Sequence, residues 1–172
     1  CKKELLFQNI SEEEFLEFDL ERDFNLNYKF DLAISLEVAE HLSPSRASSF
    51  VENLCNLSDT VLFSAAVPYQ GGENHLNEQP LSYWINLFNK NNYKCLDVIR
   101  PLIWNNNKIF WWYRQNIVFL KKRIEGEHSE NDTSSIVDII HPELFKAFAD
   151  PSEDNSARRH LKLFISSILK RK

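Results

Sequence analysis

Two glutamates and a histidine, Glu37, Glu40 and His41, close the stretch SLEVAEHL at residues 35–42, directly after a largely apolar run, FDLAI. Apolar strands usually end in turn residues, so proton-handling side chains at this place point to a site. A positioned carboxylate or imidazole can take the proton of a reacting hydroxyl, and histidine titrates near neutral pH. A second polar group follows in YQGGENHLNEQ, where His75, Asn77 and Glu78 stand behind Gly71 and Gly72, which let the loop bend. His41 and His75 are the candidate catalytic bases. Glu40, Tyr69, Asn77 and Glu78 are candidate acceptor contacts, and so are Tyr113 and Arg114 in the aromatic stretch WWYR. Plainer roles stand beside these: His41 ordering the loop after it, the His75 loop capping the next helix, and the aromatic stretch filling core. Glu40 and His41 alone are too few ligands for a metal, so none is assigned.

These residues must be positioned by a sheet. Residues 30–38 read as a strand buried on both faces. Ser43 and Pro44 then suit the start of a helix, with Phe50, Val51, Leu54 and Leu57 on its apolar side. TVLFSAAVP is a second buried strand, and Pro80 opens a second helix carrying Trp84, Ile85, Leu87 and Phe88. KCLDVIRP and NIVFLKK are two further strands around the aromatic, Asn-rich connection, and FLEFDL at residues 15–20 is a short strand before them all. Strands alternating with helices imply an α/β sheet covered by helices, mostly parallel, with an antiparallel closing pair allowed. In such sheets ligands bind outside the carboxyl ends of the strands, which selects Asp19 and Leu20, residues 35–41, and residues 69–79.

Taken together, FDLAISLEVAEHL, VLFSAAVP, GGENHLNEQPLSYW and WWYRQN resemble class I S-adenosylmethionine-dependent methyltransferases, nearest to bacterial members that modify small molecules or glycans. The likeness spans residues 15–121. It implies a Rossmann-like methyltransferase sheet flanked by helices, with S-adenosyl-L-methionine as cofactor and a small-molecule or glycan acceptor. It also implies that Asp19 and Leu20 edge the adenine, and that Ser35, Leu36 and Glu37 lie beside the methionine and sulfonium. The family's first two strands, with the glycine-rich loop and the ribose-binding acid, have no counterpart here, and no Gly-x-Gly occurs. The chain is therefore expected to be an N-terminally truncated domain that binds the cofactor weakly by itself. The absent strands belong between residues 15–20 and 31–37, and the first segment is expected to slide across and pair with the second.

Composition narrows the alternatives. Of 172 residues, 43% are hydrophobic and 26% charged, an ordinary globular balance. The net charge of -5 argues against general nucleic-acid binding. Cys1, Cys55 and Cys95 are widely spaced, without a metal-type pattern, and read as buried thiols of a reducing, cytoplasmic setting. Residues 1–122 form the expected partial methyltransferase domain, 123–135 a polar linker, and 136–172 a helical extension. Its end, residues 156–172, carries six Lys or Arg and no acid, and Leu161, Phe164, Ile165, Ile168 and Leu169 share one helical face. That face suits docking on its own domain or a partner subunit, or peripheral contact with an anionic membrane. A non-catalytic α/β interaction module and a nicotinamide-dependent oxidoreductase are the competing functions. Upstream sequence would separate them: an intact glycine loop, a degenerate one, or a G-x-G-x-x-G unit.

Overall fold

A computed structural model describes residues 11–126 and 138–149. Four strands form a single sheet: β1 (Ala33–Leu36), β2 (Thr60–Ser64), β3 (Tyr93–Leu96) and β4 (Val118–Lys122), in the order β1-β2-β4-β3. Strands β1 and β2 are parallel, whereas β4 runs antiparallel to both of its neighbours, β2 and β3. Three strands thus share one direction. The strands are mostly parallel, as expected, with β4 reversed; because β4 inserts between β2 and β3, two of the three pairings are antiparallel and the sheet is mixed.

Helices α1 (Ala47–Leu57) and α2 (Leu81–Lys90) supply the core against the sheet. Phe50, Val51 and Leu54 of α1 and Trp84 and Phe88 of α2 are buried with Val61, Phe63 and Leu120 of the strands. Phe63 makes ring contacts with Trp84 at 5.5 Å and Phe88 at 5.3 Å. A short turn, Pro44–Arg46, leads into α1 with the proline at its first position, as expected. Ser43 does not cap it; its N–H and hydroxyl both donate to Glu21. Among the described residues, no helix is long and apolar enough to cross a membrane.

The connection before β4 is more ordered than its composition implied. It contains α3 (Arg100–Ile103) and α4 (Trp111–Asn116). A further helix, α5 (Pro142–Ala149), packs on α4, with Leu144 buried. The first part of the expected extension therefore folds back onto the sheet domain. Most of the polar linker and the basic stretch at 156–172 lie outside the described residues.

Two expectations at the front of the sheet are corrected. Residues 15–20 form no strand, and no backbone hydrogen bond joins them to residues 31–37. The reason lies in α1. Arg46, almost fully buried, donates to the carbonyls of Leu20 and Arg22 and pairs with Asp23, while Asn53 donates to the carbonyl of Phe24. These side chains hold the segment against the helix, away from the sheet. Among the described residues, strand β1 consequently pairs only with β2 and keeps one open edge. Nor is it buried on both faces: Ala33 and Ser35 point inward, but Ile34 is 60% exposed.

Candidate functional site

The chain leaves β1 through a sharp reversal. Glu37 adopts a left-handed backbone, φ 52°, which non-glycine residues rarely take. Its N–H donates to the carbonyl (3.0 Å) and hydroxyl (3.1 Å) of Ser64 at the end of β2, which holds the bend in place. A single turn, Ala39–His41, follows. The carbonyl of Glu40 accepts from the N–H groups of Leu76 (2.8 Å) and Asn77 (2.9 Å). That pair of bonds ties the loop after β2 to the loop after β1 and brings the His75 ring edge-to-face with His41 at 4.8 Å.

Glu78 organises the second loop from within. One of its oxygens accepts from the Tyr69 N–H; the other accepts from the Gly71 N–H and bonds Nδ1 of His75, each at 2.9 Å. Because an ionised carboxylate only accepts, Nδ1 is the donor in this bond. Gly71 supplies the left-handed turn this closure requires, φ 75°, and Tyr69 and Asn74 share that conformation. Gly72 is needed for a different reason: a Cβ there would stand 2.3 Å from His75 Nε2.

The two loops and α4 enclose a cleft of about 270 Å³, lined by Glu37, Glu40, His41, Gln70, Gly71, His75, Trp111 and Trp112. Gln70 donates to the Glu37 carboxylate at 2.8 Å, and Asn116 joins the two by donating to Gln70 at 2.8 Å and Glu37 at 3.4 Å. Glu40 is held differently. Its side chain is fully buried, and neither carboxylate oxygen has a hydrogen-bond partner among the described residues. Burial pushes its carboxyl up to about 7, against its own backbone N–H. The Glu37 charge adds to the rise, while the His75 charge and the Ala66 N–H oppose it, although that N–H makes no hydrogen bond to the carboxylate. A group that titrates at neutrality and is aimed into a cleft can exchange protons with a bound molecule.

No protein-family model matches this chain, and no curated protein matches it either.

The fold gathers four of the residues singled out in the sequence, Glu37, Glu40, His41 and His75, into one cleft. Asn77 and Glu78 are close behind but act on the loop: Asn77 is buried and bonded to Glu40 and Gln79, and Glu78 orients His75. Tyr69 is 72% exposed at the loop's start. Ser35 is buried with its hydroxyl unpaired among the described residues, and Leu36 is the half-buried last residue of β1. Asp19 accepts from the Glu21 N–H in an Asx turn, and Leu20 packs on the core; neither lines the cleft. In α4 it is Trp111 and Trp112 that face the cleft, and not Tyr113 or Arg114. Arg114 is buried against the Trp104 carbonyl, Asn107 and Glu143, joining α4 to α5. Gln70 and Asn116 escaped the sequence reading, since an uncharged amide carries no signal until the carboxylate it holds is known.

Proposed function

We propose that this cleft is the acceptor side of a methyl-transfer site, in which S-adenosylmethionine donates to a hydroxyl of a small molecule or glycan. The observation that carries the reading is the convergence of Glu37, Glu40, His41 and His75 beyond the carboxyl ends of β1 and β2, where α/β sheets bind ligands. The sequence resemblance supplies the donor, which brings a methyl group activated on a positive sulfur. At the end of β1 the Glu37 carboxylate, fixed by Gln70 and Asn116, lines the cleft and offers that partner negative charge, whereas Ser35 is buried and does not line the cleft. The expected adenine contact at Asp19 and Leu20 has no such support: the Asp19 carboxylate accepts from the Glu21 N–H in a turn, and neither residue lines the cleft.

Methyl transfer is an in-line displacement, so much of the rate comes from holding acceptor and donor in register. Trp111 and Trp112 give the cleft an aromatic wall against which a ring-shaped acceptor can lie. A hydroxyl acceptor must also lose its proton. His41 is exposed and lines the cleft, where it can take that proton, with the His75 ring packed edge-to-face against it. The test is product detection by mass spectrometry after the protein is incubated with S-adenosylmethionine and a panel of glycans and phenols. A singly methylated product is expected, and His41→Ala should lower kcat by roughly 10²–10⁴-fold. Unchanged turnover in that variant would return His41 to a loop-ordering role. Absence of product with every acceptor would remove the reading itself.

A further inference from the structure

Glu40, His41 and His75 each place one ligand atom within 4.8 Å of the other two. Two imidazoles and a carboxylate drawn this close form a donor set suited to zinc and other divalent transition ions. The second, independent sign is the Glu40 side chain. It is fully buried, it faces the cleft, and both of its oxygens lack a partner among the described residues. Buried polar groups are nearly always bonded, and a carboxylate left without partners is among the most costly exceptions. A third sign is the setting of His75. Metal-binding histidines commonly donate their other ring N–H to a carboxylate, which fixes the ring and its tautomer. Glu78 accepts from Nδ1 of His75 at 2.9 Å in this way.

We propose that Glu40, His41 and His75 bind one divalent transition-metal ion, with zinc, manganese, iron(II) and cobalt as the class. Three protein ligands leave coordination positions free, the mark of a site that acts on a bound molecule, unlike a closed structural one. Those positions open into the cleft beside Trp111 and Trp112. A hydroxyl or a vicinal diol of an incoming ligand could fill them, and a bound cation would ease loss of its proton. Glu37 adds negative charge to the same cleft, although Gln70 and Asn116 already occupy its oxygens. The adjacency of Glu40 and His41 is visible in the sequence. The third ligand is not, because His75 arrives through the two backbone bonds to the Glu40 carbonyl. The site stands on this geometry and does not depend on methyl transfer.

The test is titration of the full chain, stripped with chelator, with Zn²⁺ by calorimetry and with Co²⁺ by visible absorption. Trp111 and Trp112 give a second optical readout. One equivalent should bind per chain. His41→Ala, at an exposed position where folding is not at stake, and the near-isosteric Glu40→Gln should each weaken it at least ~10-fold. Glu78→Gln, which leaves all three ligands in place, should weaken it by roughly 10–100-fold and alter the Co²⁺ spectrum. Lack of saturable binding to the wild-type chain would overturn the proposal. So would one-equivalent binding that His41→Ala and Glu40→Gln leave unchanged, since the ion would then lie elsewhere.

Discussion

Glu40 concentrates the chemistry of this protein in one side chain. Its folded-state carboxyl titrates at about 7, against an ordinary value of 4.5, with burial the main cause. The folded chain therefore holds this proton more tightly than the unfolded chain does. Below pH 4.5 both states are protonated and nothing is lost. Between 4.5 and 7 the unfolded state ionises first, so stability falls as pH rises, and above 7 the whole penalty is present. Cation-free protein should thus lose roughly 1–2 kcal/mol from Glu40 between pH 5 and pH 8, with screening allowed for. Thermal melts of wild type and Glu40→Gln at both pH values check this; the variant should lack that part of the slope. Equal slopes would mean that Glu40 is not desolvated. The sequence made Glu40 and His41 conspicuous by their place after an apolar strand. It did not reveal that Glu40 is buried without partners, because that depends on loops that meet it from elsewhere in the chain.

At the scale of elements, the loop after β2 makes the site. It is shaped by Glu78, by left-handed residues, and by Gly72 lying against the His75 ring. A methyl group at position 72 would collide with His75 Nε2, so the ring or the loop must move. Gly72→Ala should lower Zn²⁺ affinity at least ~10-fold with little change in the melting temperature, and titration beside a thermal melt separates the two effects. The role of Gly71 in bending this loop was legible, as were β2, β4, α1 and α2, whose apolar runs and proline starts read directly; the close approach of Gly72 to His75 was not. The first segment was misread for a physical reason. FLEFDL alternates only partly, and the competing partner was Arg46, a charged residue whose guanidinium outbids a strand for the Leu20 and Arg22 carbonyls. One consequence, among the described residues, is the open edge of β1, with Ile34 and Leu32 exposed beside it. Exposed edges of this kind recruit other chains. Ile34→Lys should raise the aggregation onset seen by light scattering while shifting stability by no more than ~0.5 kcal/mol; an unchanged onset would show the edge to be inert.

For the molecule as a whole, the α/β class was legible from alternating strands and helices, but strand order was not. Placement of β4 between β2 and β3 is a long-range choice that no local pattern records. The return of residues 138–149 was also hidden. It rests on scattered contacts: Leu144 buried near α4, the Arg114–Glu143 pair, the Ser82 N–H donating to Asp138 at 2.8 Å, and buried His141, whose N–H donates to Gln115 and whose ring packs on Trp104. Leu144→Ala should therefore destabilise the fold by about 2–3 kcal/mol, measurable by urea denaturation. The same architecture places two loops from separate parts of the chain around one centre, and the central claim is that they act together there. A double-mutant cycle on kcat tests it most directly, with His41→Ala, His75→Ala and the pair at saturating donor and acceptor. Groups that work as a unit lose almost everything with the first member removed. The double variant is therefore expected to turn over no more slowly than the worse single variant, within about 3-fold. Losses that multiply across the two substitutions would contradict a shared centre and leave two residues that merely border the same cleft.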